Sequence, residues 1–122
     1  MSLGIVLFGH GSRDPEWSAP FARLARLVGA RRSEARVVTA YLEHIAPTLD
    51  EAVAALVADG AAEVVVAPIF LAPGGHVKRD LAQLAATLRV RHPSLTLRVL
   101  PTLGEADALV EAMAEWIARE SC

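Results

Sequence analysis

Strand-length apolar runs alternate along this chain with apolar stripes of helical period, and that alternation restricts the fold more than any other feature. Gly4 to Phe8, Val37 to Leu42 and Val64 to Phe70 are nearly continuous apolar runs, the pattern of strands buried in a parallel sheet. Leu95, Leu97 and Val99 alternate with polar neighbours, as a strand at a sheet edge or only partly covered by helices would. Four helical stripes separate and follow these runs: Trp17, Phe21, Leu24 and Val28; Leu49, Val53, Leu56 and Val57; Leu81, Leu84, Ala85 and Leu88; Leu109, Val110, Met113 and Ile117. Asp14-Pro15-Glu16 offers a cap, a preset φ and a first-turn carboxylate, Pro47 suits the first position of the second helix, and Gly60 suits its end.

The order β-α-β-α-β-α-β-α predicts an α/β fold, because parallel strands need crossovers and these are nearly always right-handed. We expect a single three-layer domain over residues 1–122, with a four-stranded parallel sheet in the order 2-1-3-4 flanked by helices. That order places a topological switch between strands one and three, where open α/β sheets bind ligands.

The 12 basic and 14 acidic residues leave a net charge of −2, without the basic excess of a nucleic-acid binder. Cys122 is the single cysteine, so one chain can build neither a disulfide framework nor a thiolate metal cage. No apolar run approaches the roughly 20 residues that span a bilayer, and the start of the chain lacks a secretory signal. A cytoplasmic protein without a membrane partner is the expectation.

The first and third strands each lead through glycine into a histidine, in Gly9-His10-Gly11-Ser12-Arg13 and in Gly74-Gly75-His76. A single loop histidine is usually an ordinary surface group, but two at the ligand-binding end of one sheet, flanked by glycines that admit a bulky molecule, point to a site. Glu43 closes strand two and can complete a His-His-carboxylate set with His10 and His76, move protons, or be merely a solvated strand end or a helix-capping partner. Strand alternation sends the neighbouring His44 in another direction, and His92 falls at the opposite edge. Imidazole and carboxylate suit cobalt, iron, nickel or zinc. Gly9-His10-Gly11-Ser12 lacks the lysine of a Walker loop and the dinucleotide glycine spacing, and Ser12 is not in a nucleophile elbow. Arg13, Lys78 and Arg79 flank the histidine segments and favour an anionic, polycarboxylate ligand, while Asp80 suits the first turn of helix three.

Three blocks, Gly9-His10-Gly11-Ser12-Arg13-Asp14-Pro15, Tyr41-Leu42-Glu43, and Phe70-Leu71-Ala72-Pro73-Gly74-Gly75-His76-Val77-Lys78-Arg79-Asp80, resemble the small CbiX-type sirohydrochlorin chelatases over almost the whole chain. His44 stands where many members of that family carry an apolar residue. The resemblance implies insertion of cobalt, or of iron or nickel, into the sirohydrochlorin macrocycle during synthesis of cobalamin, sirohaem or a related tetrapyrrole. It also implies a homodimer, because the larger class II chelatases fuse two similar α/β domains around a cleft. The divalent metal would be a substrate, with no permanent cofactor.

On that reading His10 and His76 present the metal and assist proton removal, with Glu43 as ligand or proton acceptor. Ser12, Tyr41, Phe70, Leu71 and Leu103 would line the macrocycle, and Arg13, Lys78 and Arg79 would meet its carboxylates. A metal or tetrapyrrole carrier without catalysis and, further off, a phosphate-binding flavodoxin-like module use the same features.

Overall fold

In the computed structural model, which describes residues 2–72 and 74–122, Pro73 of the third sequence block lies outside the described residues. The apolar runs form strands β1 (Leu3–Gly9), β2 (Ala35–Tyr41), β3 (Glu63–Pro68) and β4 (Thr96–Val99). They pair in parallel in the order β2-β1-β3-β4, as the alternation of elements predicts. The register sets Gly9 beside Tyr41 and Phe8 beside Pro68, so β1 to β3 end together at one edge.

Side chains alternate across the sheet, and the two faces are covered unequally. Val6, Phe8, Val64, Val66 and Leu97 join Leu49, Ala52, Val53 and Leu56 of α2 (Leu49–Ala58) and Ala85 and Leu88 of α3 (Gly75–Arg91) in one buried core. Gly4 keeps this face close-packed, since a Cβ there would lie 2.7 Å from a Leu56 methyl. On the opposite face α1 (Ala19–Arg31) covers β2, and Phe21 lies over Gly9. Helix α4 (Asp107–Glu120) has no buried residue, so the fourth stripe does not join the sheet layers as the sequence pattern suggests.

Local signals place most element ends, with four differences. Asp14 caps a 3-10 turn, Pro15–Ser18, by accepting a hydrogen bond from the Glu16 amide, and Trp17 therefore precedes α1. Pro47 stands outside α2, because Thr48 and Glu51 form a reciprocal capping box that starts the helix at Leu49. Strand β3 begins at Glu63 and ends at Pro68 rather than running from Val64 to Phe70, although the Ile69 amide still donates to Phe8 O at 2.8 Å. Strand β2 is an edge strand, with only Ala40 and Tyr41 buried. Gly60 follows the α2 C-cap at φ 100°, as a helix terminator should.

Candidate functional site

The pairing of β1 with β2 continues past both strands and carries two polar side chains together. The Leu42 amide donates to Gly9 O at 2.9 Å, and the Glu43 amide donates to His10 O at 3.0 Å. Gly11 follows at φ 97°, where a Cβ would stand 1.9 Å from the Glu43 carbonyl oxygen. Glycine alone allows that approach. His10 Nε2 and Glu43 Oε1 are 2.8 Å apart as a result, each about half exposed, at 51% and 52%.

His44 joins the same carboxylate. Its Nε2 lies 3.3 Å from Glu43 Oε1, and its backbone takes φ 73°. Alternation was the reason to expect Glu43 and His44 to diverge, but β2 ends at Tyr41 and both residues lie in a bend, where period-two geometry no longer applies. A left-handed backbone at a non-glycine residue is a conformational cost with no local sequence signature. His92 caps α3 at the opposite edge, as its place in the sequence requires.

His76 is the second residue of α3 rather than part of a loop, and its side chain is 81% exposed. Its Nε2 stands 3.2 Å from Asp80 Oδ2, one helical turn away. Asp80 is therefore in the second turn, one turn beyond its expected place. The site consists of two imidazole–carboxylate groups, His10 and His44 on Glu43 and His76 on Asp80. Among the described residues no group of three His, Cys, Asp or Glu side chains is arranged to hold a metal ion.

The other sequence-predicted contacts are distributed along this edge. Ser12 Oγ accepts from the Asp14 amide at 3.1 Å, and Arg13 and Arg79 are exposed. Tyr41 is buried, its ring 6.0 Å from Trp17 and 5.8 Å from Phe21 by centroid, so it supports the edge instead of offering an open face. Phe70 packs edge-to-face on Phe8 at 5.9 Å, and Leu71 is exposed. Leu103 joins them, its amide donating to Phe70 O at 2.9 Å.

Thr102 and Glu105 anchor that junction through a capping box around the 3-10 turn Leu103–Glu105. The Thr102 hydroxyl donates to Glu105 Oε1 at 2.8 Å and its amide donates at 3.1 Å. These bonds, with a smaller contribution from the charge of Lys78, hold the Glu105 carboxyl below its ordinary pKa. Lys78 Nζ lies 3.9 Å from Glu105 Oε2. A cavity of about 450 Å³ opens here between α3 and the end of β4, lined by Phe70, Val77, Lys78, Leu81 and Thr102. It includes neither histidine pair.

A parallel α/β sheet whose carboxyl edge presents imidazole, carboxylate and apolar surface defines a ligand-binding α/β protein of the open-sheet type. The model of the CbiX family matches residues 4–120, and the chain belongs to that family. A sirohydrochlorin cobaltochelatase of Saccharolobus islandicus is 40% identical over 82 residues, covering 67% of this chain and 62% of the relative. The chain is thus matched over about three fifths of the length of such relatives. The crystal structure of a putative cobalamin biosynthesis CbiX protein from Marinobacter aquaeolei superposes with a TM-score of 0.82 at 30% identity, covering 97% of this chain and 96% of that one. The sirohydrochlorin chelatase SirB of Bacillus subtilis subspecies spizizenii, solved with cobalt, gives 0.79 at 28% identity, covering 98% of this chain and 51% of SirB.

Proposed function

We propose that this chain inserts a divalent metal ion, cobalt before iron or nickel, into sirohydrochlorin on the way to cobalamin, sirohaem or a related tetrapyrrole. The reading rests on CbiX family membership, on relatives named as sirohydrochlorin cobaltochelatases, and on one geometric observation. That observation is the His10–Glu43 pair at 2.8 Å across the ends of β1 and β2.

The pair suits the two demands of the reaction, which are to shed water from a metal dication and to remove two pyrrolic protons. Imidazole nitrogen and carboxylate oxygen bind borderline dications without the tenacity of a thiolate cage, and the ion must leave. In the neutral form a hydrogen bond from Nε2 to Glu43 leaves Nδ1 of His10 as the ring's acceptor, so the carboxylate orients an imidazole able to take a proton. If Nε2 instead binds the metal, the ring proton moves to Nδ1 and Glu43 is freed as a second ligand. His76 supplies the matching imidazole from α3, with Asp80 as its orienting carboxylate. Phe70, Leu71 and Leu103 provide apolar contact for the macrocycle, and Ser12 a polar one. Arg13, Lys78 and Arg79 face its carboxylates.

The metal is a substrate here, and no permanent cofactor enters the proposal. Two copies would supply the two lobes of the cleft, a reading supported by the fit of this chain to about half of SirB. A cytoplasmic setting accords with the single Cys122, and no helix among the described residues is long and apolar enough to cross a membrane.

Anaerobic mixing of the protein with sirohydrochlorin and cobalt, followed by absorption, tests the function. A rate above the protein-free control is expected, and lower with His10→Ala or His76→Ala. Equal rates with and without protein would overturn the assignment, and tight macrocycle binding at an unaccelerated rate would identify a carrier.

A further inference from the structure

His44 takes a left-handed backbone at φ 73°, the only non-glycine residue to do so among the described residues. The loop around it dictates that conformation. The Leu42 and Glu43 amides are tied to Gly9 O and His10 O, and the Tyr41 amide donates to Pro47 O at 2.9 Å. Between these ties the Ile45 amide donates to Glu43 O at 2.9 Å and closes a three-residue turn centred on His44. Such a turn at positive φ is rare and strained, and glycine would take it freely.

Strain of this kind persists where the surroundings over-determine it, and functional sites are where it collects. The side chain of His44 is turned to the site. Its Nε2 lies 3.3 Å from Glu43 Oε1, and it is 32% exposed against 51% for His10. Two imidazoles therefore meet one carboxylate oxygen, with His10 the nearer at 2.8 Å. The reaction treats the two contacts differently. When His10 Nε2 takes the metal it can no longer donate to Glu43, and His44 is the ring that remains beside Oε1. Oε2 is then the oxygen available to the metal or to a pyrrolic proton.

We propose that His44 is a positioning residue for metal insertion, its Nε2–H holding Oε1 of Glu43 while His10 Nε2 is given over to the metal. It acts through Glu43 and not on the reactants. The arrangement suits that role, because His44 adjoins Glu43 in the chain and its own backbone is fixed by the turn. Without it, a carboxylate half exposed to water would be free to change rotamer as soon as His10 let go. His76 gives no such hold, since its nitrogen lies against Asp80. The assignment rests on the chelatase reading of this site.

His44→Leu and His44→Gln test it in the full chain, because both keep a Cβ in the strained turn and only glutamine keeps an N–H donor of similar reach. Circular dichroism verifies folding. At saturating cobalt and sirohydrochlorin the rate should fall about 10-fold in His44→Leu, the lower end for a lost outer partner of a metal site. The KM for sirohydrochlorin should stay unchanged, and His44→Gln should recover most of the rate. In a Glu43→Gln background His44→Leu should add little, because residues that act through one another are non-additive. Equal losses in both variants, a KM that rises with the loss, or an undiminished effect in the Glu43→Gln background would assign His44 to the turn alone and overturn the proposal. A His44→Leu rate equal to the wild type would overturn it as well. Titration with cobalt alone, read by absorption, separates this role from the chelatase reading. A wild type that inserts no metal overturns that reading, and cobalt affinity then decides the positioning role. Affinity weakened in His44→Leu and restored in His44→Gln upholds it, and equal affinity in all three proteins overturns it.

Discussion

His10 Nε2 and Glu43 Oε1 meet at 2.8 Å although 33 positions separate them in the chain. The carboxylate both fixes the ring and supplies charge, and Glu43→Gln separates these roles because an amide keeps the hydrogen bond and loses the charge. We expect Glu43→Gln to lower the cobalt insertion rate by about 10- to 100-fold, the range typical of a lost partner to a metal-site imidazole. His10→Ala should cost about 100-fold or more, since it removes the proposed proton acceptor itself. Initial rates of sirohydrochlorin metallation check both, and a Glu43→Gln rate equal to the wild type would leave the charge of Glu43 without a role.

The approach of Gly11 to the Glu43 carbonyl gives a second prediction. A methyl group at Gly11 would have to displace backbone, not a flexible side chain, and would adopt a φ of 97° that L residues avoid. Gly11→Ala should destabilise the fold by about 1 to 3 kcal/mol. It should also lower insertion by separating His10 from Glu43. Urea denaturation and insertion rates report the two effects, and unchanged values in both would contradict the close approach.

Much of this arrangement is legible in the sequence, and the exceptions have physical reasons. Periodicity alone identifies four strands and four helices, because burial imposes period two or 3.6 on the apolar residues, and Phe8, Val64 and Leu56 are buried as that rule requires. Right-handed crossovers fit the favoured order β2-β1-β3-β4 without fixing it alone, and glycines before His10 and His76 mark the loaded edge. What periodicity does not carry is contact beyond an element's end. His44 reaches Glu43 through a left-handed backbone in a bend, and Tyr41 is hidden by Trp17 and Phe21 from another element. The α4 stripe is equally silent, since an amphipathic pattern reports an apolar face and not what it packs on.

Glu105 provides a pH-dependent prediction. Its carboxyl is held below the ordinary value, first by the Thr102 hydroxyl and then by the Thr102 amide. The folded state therefore binds this proton less readily than the unfolded state, so the contribution is complete above the unfolded value of about 4.5. It is lost as pH falls through the lower folded value. Glu105→Gln retains an acceptor for the Thr102 bonds and removes the titration. The stability difference between wild type and Glu105→Gln should shrink as pH falls below about 4.5, measured by urea denaturation along a pH series. A difference that stays constant would show that the carboxylate charge adds nothing to the turn.

The backbone of His44 can be separated from its side chain by comparing two substitutions. Both His44→Ala and His44→Gly remove the imidazole that lies 3.3 Å from Glu43 Oε1, so both lose the same contact. They differ at φ 73°, where alanine retains the steric conflict of a Cβ with its own backbone and glycine does not. Greater unfolded-state freedom of glycine offsets part of the gain. His44→Gly should be more stable than His44→Ala by about 1 kcal/mol, read from paired urea denaturation curves with equal slopes. Equal insertion rates in the two variants, both below the wild type, would assign the loss of activity to the imidazole. A faster His44→Gly enzyme would assign it to the strained turn, and an Ala variant as stable as Gly would remove the claim of strain altogether.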